Sequence, residues 1–178
     1  MFIPELTTRV TVEMDLSGLD EVLEVIASDE ILSDIPSLTG MVEEKRDKLK
    51  SLKEPLTEAV AKRLQSNQEM IISSKHGPPR SEGMMAECVD LFHDGEDILI
   101  GNTASSVDNF PYPLAIEKGS TSHWIEPKTF SALHWTDTDG EHFSKGHMVS
   151  GIKADPFVQP SIDDTMKDID DIWEEFDI

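Results

Sequence analysis

The stretch TGMVEEKRDKLKSLKEPLTEAVAKRLQSNQEMII, residues 39–72, decides the fold because it carries a long, sustained helical pattern. The stripe on one face of this pattern consists of Leu38, Met41, Val42, Lys45, Leu49, Leu52, Leu56, Ala59, Val60, Arg63 and Leu64. Pro55 interrupts the stripe, and a proline inside a helix costs about 3 kcal/mol. We therefore predict a kink or a break near residues 51–54. Since the stripe resumes in register, it indicates one long bent helix or two stacked helices.

Shorter segments with strand patterns lie on both sides of this helical segment. Arg9–Leu16 alternates apolar and polar side chains, which predicts a half-buried strand, and Ser17 is placed to cap a short helix after it. Met84–Leu91 and Asp97–Asn102 are predicted strands, and the Asp94-Gly95 pair between them is a good hairpin signal. These segments predict an antiparallel sheet.

The C-terminal third is predicted to combine a helical turn, a loop and a last helix. The turn follows Pro111 and ends at Gly119, because glycine serves as a left-handed C-cap. Gly140–Gly151 is rich in His, Ser and Lys and is predicted to be a loop. Ser161 is predicted to cap the last helix. The apolar positions of that helix are Ile162, Met166, Ile169, Ile172, Trp173 and Phe176.

The chain of 178 residues has the length of one ordinary domain. We predict the α+β class, with an antiparallel sheet packed by the long helix and by a C-terminal helix. The single domain 1–178 is divided into an N-terminal strand and helix (1–38), a long helical segment (39–72), a sheet and loop region (84–158) and a C-terminal helix (160–178).

The charge restricts the classes of function. Thirty-six acidic residues against fifteen basic ones give a net charge of −21. This balance argues against sequence-specific nucleic-acid binding, which needs clustered Lys and Arg, and against an anionic membrane surface. Three interpretations stay open: a solvated surface that favours solubility, an adaptation to a high-salt host, and a wall that repels DNA in a conduit.

Cysteine usage and hydropathy predict a soluble protein made in the cytoplasm. Cys88 is the single cysteine, so neither an internal disulfide nor a cysteine-based zinc site can form. No apolar run approaches the roughly 18 residues that cross a bilayer. Residues 1–5 lack the basic start and apolar core of a signal peptide.

Motifs for catalysis or cofactor binding are absent from the sequence, which lacks GxSxG, HExxH, GxxxxGK[ST] and GxGxxG. His142 and His147 lie near acidic residues in the segment Asp137–His147, which leaves a metal-dependent hydrolase as one alternative. The simpler interpretation of this segment is a flexible, solvated loop. We predict that the protein is not an enzyme and has no catalytic residues, no metal ligands and no cofactor.

A series of short phrases runs through the C-terminal third. They are YPLAIEKGS at 112–120, IEPK at 125–128, ALHW at 132–135, FSKGH at 143–147 and ADPFVQPSI at 154–162. In order and rough spacing they resemble the minor tail-component family of long-tailed double-stranded DNA viruses, the tail-completion or head–tail joining proteins. Upstream, GLDEVL at 18–23 resembles the family's start. The chain departs from the family in its acidity and in the phrase GPPRSEGM at 77–84.

The resemblance implies a structural virion protein of the head–tail joint (neck) or tail end, with no catalytic residues to carry over. It implies a homo-oligomeric ring, with hexamer-like symmetry, that contacts neighbouring connector, adaptor or tail-tube proteins while DNA passes through its lumen. An acidic inner wall fits this role, because like charges disfavour binding. The implied location is the virion, and the host cytoplasm during assembly, without a membrane contact.

Nine side chains are candidate interface residues: Trp124, Lys128, Trp135, Lys145, His147, Lys153, Phe157, Trp173 and Phe176. Lys145 and Lys153 give local positive charge, which suits an acidic patch on the next subunit of a ring. The simpler interpretation of Trp124, Trp135 and Phe157 is that they are core aromatics. A different function also stays open: an acidic protein that mimics DNA or inhibits a host factor by binding a basic partner.

Overall fold

A computed structural model describes residues 6–28, 36–76, 84–105 and 112–176. Its elements are β1 (Thr7–Val10), α1 (Ser17–Ser28), α2 (Pro36–His76), α3 (Met84–Glu87), β2 (Val89–Asp94), β3 (Asp97–Asn102), α4 (Tyr112–Lys118), β4 (His123–Ile125), β5 (Leu133–Asp137), β6 (Gly140–Ser144), β7 (His147–Val149), α5 (Val158–Lys167) and α6 (Ile169–Glu174). Antiparallel sheets pack against helices, which confirms the α+β class.

The long helical segment is a single helix, α2, about 60 Å long at a rise of 1.5 Å per residue. Pro55 lies inside it without ending it, so the alternative of a break near residues 51–54 is wrong. The two halves of α2 differ in burial. No side chain is buried between residues 37 and 55, whereas Leu56, Ala61, Leu64 and Ile72 are buried. The C-terminal half of α2 is therefore the part that holds the body together.

The three-stranded sheet has the order β1-β3-β2, with antiparallel pairing on both sides of β3. The predicted hairpin is confirmed: a two-residue turn, Gly95-Glu96, joins β2 to β3, and Gly95 has a φ of +66°. Arg9 on β1 donates hydrogen bonds to the carboxylates of Asp94 and Asp97 beside this turn. These bonds attach the edge strand β1 to the end of the hairpin.

Two predicted strands have different bounds in the structure. β1 ends at Val10, not at Leu16, because its pairing with β3 stops where Val10 lies opposite Ile98. Thr11 contacts the next residue of β3 through its side chain instead, since its hydroxyl donates to the Asp97 carboxylate (2.8 Å). The predicted strand 84–91 begins as the short helix α3 and becomes extended only from Val89. Here the side-chain amide of Asn102 donates to the carbonyl of Met85 (2.7 Å), which supports the non-extended backbone.

The hydrophobic core lies between the C-terminal half of α2, the sheet and the start of α5. The buried cluster comprises Val10, Ala61, Leu64, Ile72, Met85, Val89, Ile98, Ile100, Ala104 and Phe157. Phe157 is 0% exposed and is the largest of the fully buried side chains. Because it directly precedes α5, it fixes the start of that helix against the core.

The predicted C-terminal helix is divided into α5 and α6 at Asp168, and its predicted cap is wrong. α5 starts before Ser161, whose hydroxyl donates to the carbonyl of Val158 (2.7 Å) inside the helix. The carboxylate of Glu117 takes the capping role instead. It accepts the backbone N–H groups of Phe157 (2.8 Å) and Val158 (3.2 Å), and a negative charge is favourable at a helix N-terminus.

Candidate interaction surface

Between α4 and α5 the chain forms an excursion, residues 119–153, which we call the β-arm; the other described residues are the body. β4 pairs with β7 and β5 pairs with β6, so one two-stranded ribbon is nested inside another. The prediction of a loop at Gly140–Gly151 is therefore wrong, because β6 and β7 occupy most of it. The strands of the β-arm make their extensive contacts with one another.

The β-arm has a narrow base closed by backbone contacts. The N–H of Ser120 donates to the carbonyl of Ile152 (2.8 Å), and the N–H of Ile152 donates to the hydroxyl of Ser120 (3.0 Å). A Cβ on Gly151 would lie 1.9 Å from the Ser120 carbonyl oxygen. Gly119 has a φ of +73°, which favours glycine, and it ends α4 as predicted. The close approach of the two chain segments thus requires glycine on both sides.

One face of the β-arm carries a stack of rings. Trp135 lies between His142 and His147, with ring centroids 5.3 Å and 4.9 Å away. Nε2 of His142 hydrogen-bonds with Oδ1 of Asp137 (2.8 Å), and this bond lowers the pKa of Asp137. The ring stack packs one side of the β-arm even though the arm adds nothing to the hydrophobic core cluster of the body.

The opposite face is apolar and open. In the β4–β7 ribbon, Trp124 is the partner of Met148, and each is 58% exposed. In the β5–β6 ribbon, His134 is the partner of Phe143, and their rings stack at 4.6 Å. Phe143 is 67% exposed. We call these four residues the outer face, because strand alternation puts them opposite the ring stack. Neighbouring exposed apolar side chains are typical of contact sites.

The outer face is held in place by a turn beneath Trp124. A Cβ on Gly146 would lie 2.6 Å from the Trp124 ring, and Gly146 has a φ of +156°. The Ser144 hydroxyl accepts the N–H of Gly146 (3.1 Å) and donates to its carbonyl (2.9 Å). The exposed indole therefore sits on a fixed platform, which reduces the ordering cost when it contacts another surface.

Charge also separates the β-arm from the rest of the chain. Residues 119–153 contain three lysines and four carboxylates, a net charge of −1, so the remaining residues carry −20 of the total of −21. Four of the six histidines lie in the β-arm. The β-arm is thus nearly neutral and bears exposed rings, while the body is strongly acidic.

Six of the nine predicted interface residues lie in the β-arm: Trp124, Lys128, Trp135, Lys145, His147 and Lys153. Trp124 is 58% and Trp135 is 38% exposed. The simpler interpretation of these two residues as core aromatics is therefore wrong. Phe157, in contrast, is fully buried, which supports the core interpretation for that residue and removes it from the exposed surface. Trp173 on α6 is 39% exposed, and Phe176 behind it is half-buried.

Four further exposed apolar residues of the β-arm are not among the predicted interface residues. Phe130 is 81% and Ile152 is 52% exposed, and Phe143 and Met148 belong to the outer face. A signal for the β5–β6 ribbon was present in the sequence. Asp139-Gly140 is a turn dipeptide, and Thr138-Asp139 forms the two-residue loop between β5 and β6.

The metal-dependent hydrolase alternative requires a cluster of metal-ligating side chains. No group of three or more His, Cys, Asp or Glu side chains that could hold a metal occurs among residues 6–28, 36–76, 84–105 and 112–176. In the segment proposed for the hydrolase alternative, His142 is engaged by Asp137 and stacks on Trp135. A helix long and apolar enough to cross a bilayer is likewise missing from these ranges.

A cavity of about 700 Å³ lies between α2 and the β2–β3 hairpin. Ionisable residues line much of it: Lys50, Lys53, Glu54, Glu58, His93 and Glu96. The ammonium group of Lys53 donates to the Glu96 carboxylate, which raises the pKa of Lys53. This exposed ion pair joins the two walls of the groove.

Comparisons with known proteins give no match: no protein-family model, no curated protein and no solved structure is similar to this chain.

Proposed function

We propose that this chain is a structural protein of a tailed virus particle, located in the head–tail joint (neck) or at the tail end. It acts through contacts with other subunits in a ring and not as an enzyme. The observation that carries the proposal is the β-arm, which presents fixed and exposed apolar rings away from an acidic body. Such a surface suits a protein whose task is to bind neighbouring subunits.

The phrases that resemble the tail-completion family are the pieces that build and attach the β-arm. YPLAIEKGS forms α4 and the first side of the base, IEPK covers the end of β4, and ALHW enters β5. FSKGH holds the turn beneath Trp124. ADPFVQPSI opens α5, and its backbone donates to Glu117 of the first phrase. This physical connection supports treating the phrases as one unit.

The acidity of the body fits a ring around passing DNA. A strongly negative surface repels the phosphate backbone, so DNA moves along the lumen without being held. The proposed ring is of hexamer-like symmetry, with connector, adaptor or tail-tube proteins above and below it. In such a head-to-tail ring, one surface of each subunit contacts a different surface of the next.

The direct test is quantitative mass spectrometry of purified particles that contain this protein's gene. We expect the chain in every particle at a ring's worth of copies, and we expect particles made without it to have heads and tails that fail to join or tails that fail to finish. The major tail-tube protein serves as the internal standard for copy number. Complete absence of the chain from infectious particles would overturn the proposal.

A second candidate is an acidic protein that mimics DNA or inhibits a host factor. The exposed carboxylates of α5 and α6 favour it: Asp163, Asp170, Asp171 and Glu174. This function predicts a monomer that binds a basic protein with an affinity that falls steeply with salt. Pull-down with a basic nucleic-acid-binding protein at about 50 mM and about 300 mM salt, compared with particle mass spectrometry, separates the two candidates.

A further inference from the structure

We propose that the outer face of the β-arm seats on the α5–α6 surface of a second copy of this chain. The inference rests on the proposed function and names the two surfaces that meet in the ring. It follows from three features: the exposed rings of the β-arm, the charge difference between β-arm and body, and the exposed apolar residues of α5 and α6.

The β-arm has the apolar side chains of an interface, and they stay exposed among the residues that the structure describes. Trp124, Phe143 and Met148 expose more than half of their side-chain surface, although the ring stack covers the other side of the arm. Aromatic residues and methionine are enriched in the centres of protein interfaces. Their fixed position over Gly146 means that little ordering is needed on contact.

Charge identifies the partner surface. The body carries most of the chain's net charge of −21, so the bodies of two copies repel each other. Contact between two bodies therefore costs electrostatic free energy. The β-arm is repelled far less, because the exposed ammonium groups of Lys128, Lys145 and Lys153 reduce its net charge to −1. Lys145 directly precedes Gly146, on which Trp124 rests. The arm thus places an ammonium group beside its apolar rings, and its complement is an apolar surface edged by carboxylates.

The surface of α5 and α6 has that composition. Met166 on α5 is 61% exposed and Trp173 on α6 is 39% exposed. Carboxylates are exposed on the same two helices at Asp163, Asp170 and Asp171. α5 and α6 are also well anchored. α5 packs on α2, and Arg63 of α2 bonds with Asp168 (3.0 Å) at the junction of the two helices. The surface is therefore rigid enough to receive the arm.

The contact is tested with two full-length double variants. The arm variant is Phe143→Ser with Met148→Ser, and the helix variant is Met166→Ser with Trp173→Ser. The matched control is Met70→Ser, because Met70 is 63% exposed on α2, outside both surfaces. Circular dichroism and thermal unfolding first establish that each variant keeps the fold. Sedimentation velocity over a concentration series then measures self-association.

We expect the native chain and the control to associate with equal affinity, and each double variant to lose at least about tenfold in affinity. The decisive measurement mixes the two variants. The arm variant keeps an intact helix surface and the helix variant keeps an intact arm, so the mixture restores one good contact and forms a heterodimer. Native mass spectrometry distinguishes this heterodimer because the two variants differ in mass.

Two outcomes overturn the inference. In the first, the folded arm variant associates as strongly as the native chain. In the second, the native chain stays monomeric, while the arm variant alone fails to enter particles; the arm then binds a different particle protein, and the proposed function survives. Conversely, self-association through the arm with no chain in particles would leave the contact standing and overturn the virion function.

Discussion

The body and the β-arm are stabilised by different interactions. In the body, α2, the sheet and Phe157 bury a continuous core, and ionic contacts such as Arg9–Asp97 lie at its edge. In the β-arm, two-stranded ribbons stack rings against each other and leave one face open. Isolated two-stranded ribbons are marginally stable in water. The comparison teaches that burial supports the body, whereas tight turns, ring stacking and a closed base support the arm.

The largest expected effect comes from removing the aromatic ring at the centre of the body. Phe157→Ala should lower the free energy of unfolding by about 3–5 kcal/mol, because a fully buried ring leaves a cavity. Phe143→Ala removes the same atoms from the exposed arm and should change it by no more than about 1 kcal/mol. Urea unfolding followed by circular dichroism measures both. Similar decreases in the free energy of unfolding for the two variants would show that arm and body share one core.

The next effect concerns the base of the β-arm. Gly151→Ala places a methyl group against the Ser120 carbonyl, which must move, at a cost of about 1–3 kcal/mol. Gly18→Ala is the matched control because a Cβ there meets nothing within 4 Å. Hydrogen exchange should show faster exchange in β4–β7 for Gly151→Ala, with the body protected as before. Equal loosening of α2 would argue against an independently closed arm.

A smaller effect is expected within the body beside the base of the β-arm, where Glu117 of α4 bonds the start of α5. Glu117→Ala removes the acceptor for the N–H groups of Phe157 and Val158 and should destabilise the protein by about 1 kcal/mol. Glu126→Ala removes an exposed carboxylate of the arm and is the control. Chemical denaturation measures the difference between the two variants. An equal effect would mean that the N-terminus of α5 does not depend on Glu117.

The smallest effect is a pH dependence that differs between the two regions. Hydrogen bonds from Thr11 and Arg9 lower the pKa of Asp97 in the body, and a hydrogen bond with His142 lowers the pKa of Asp137 in the arm. Because the pKa is lower in the folded state, each ionised carboxylate stabilises the fold at pH values above its ordinary pKa of 3.8. This stabilisation is lost as the pH falls through the lowered pKa.

Carboxyl titration by NMR should therefore give two midpoints below the ordinary value. Asp97→Asn should reduce the acid dependence of body unfolding, and Asp137→Asn should affect only signals of the arm. Asp139→Asn is the control in the arm, because Asp139 lies in the turn two residues after Asp137. A midpoint at or above the ordinary pKa for either carboxyl would contradict the corresponding hydrogen bond.

The parts of the fold that the sequence predicted are those where local pattern and burial agree. The stripe of α2, the turn at Gly95 and the helix end at Gly119 follow from periodicity and backbone preference alone. The end of β1 at Val10 does not, because it depends on where the pairing with β3 stops, a contact between segments far apart in the sequence. Ser161 resembles a cap locally, but the capping carboxylate comes from Glu117, far away in the sequence.

For the candidate surface, the sequence predicts many of the residues but not the strands that carry them. The sequence predicts Trp124 and the arm lysines as interface residues, but it predicts a loop where the structure has β6 and β7. Strand prediction relies on apolar residues that become buried, and Phe143 and Met148 alternate with polar residues yet remain exposed. The pairing of β4 with β7 joins segments that are far apart in the sequence, and short local patterns do not predict such pairing.

The closed base of the β-arm has a consequence for how this protein can change over generations. Because Ser120 and Ile152 are hydrogen-bonded neighbours, the chain leaves and re-enters the body at almost the same point. A segment anchored in this way can be shortened, extended or exchanged with little disturbance to the core, since loop-closure entropy grows only slowly with length. The arm is thus a replaceable cassette, in which new contact specificities can arise while the scaffold keeps its sequence.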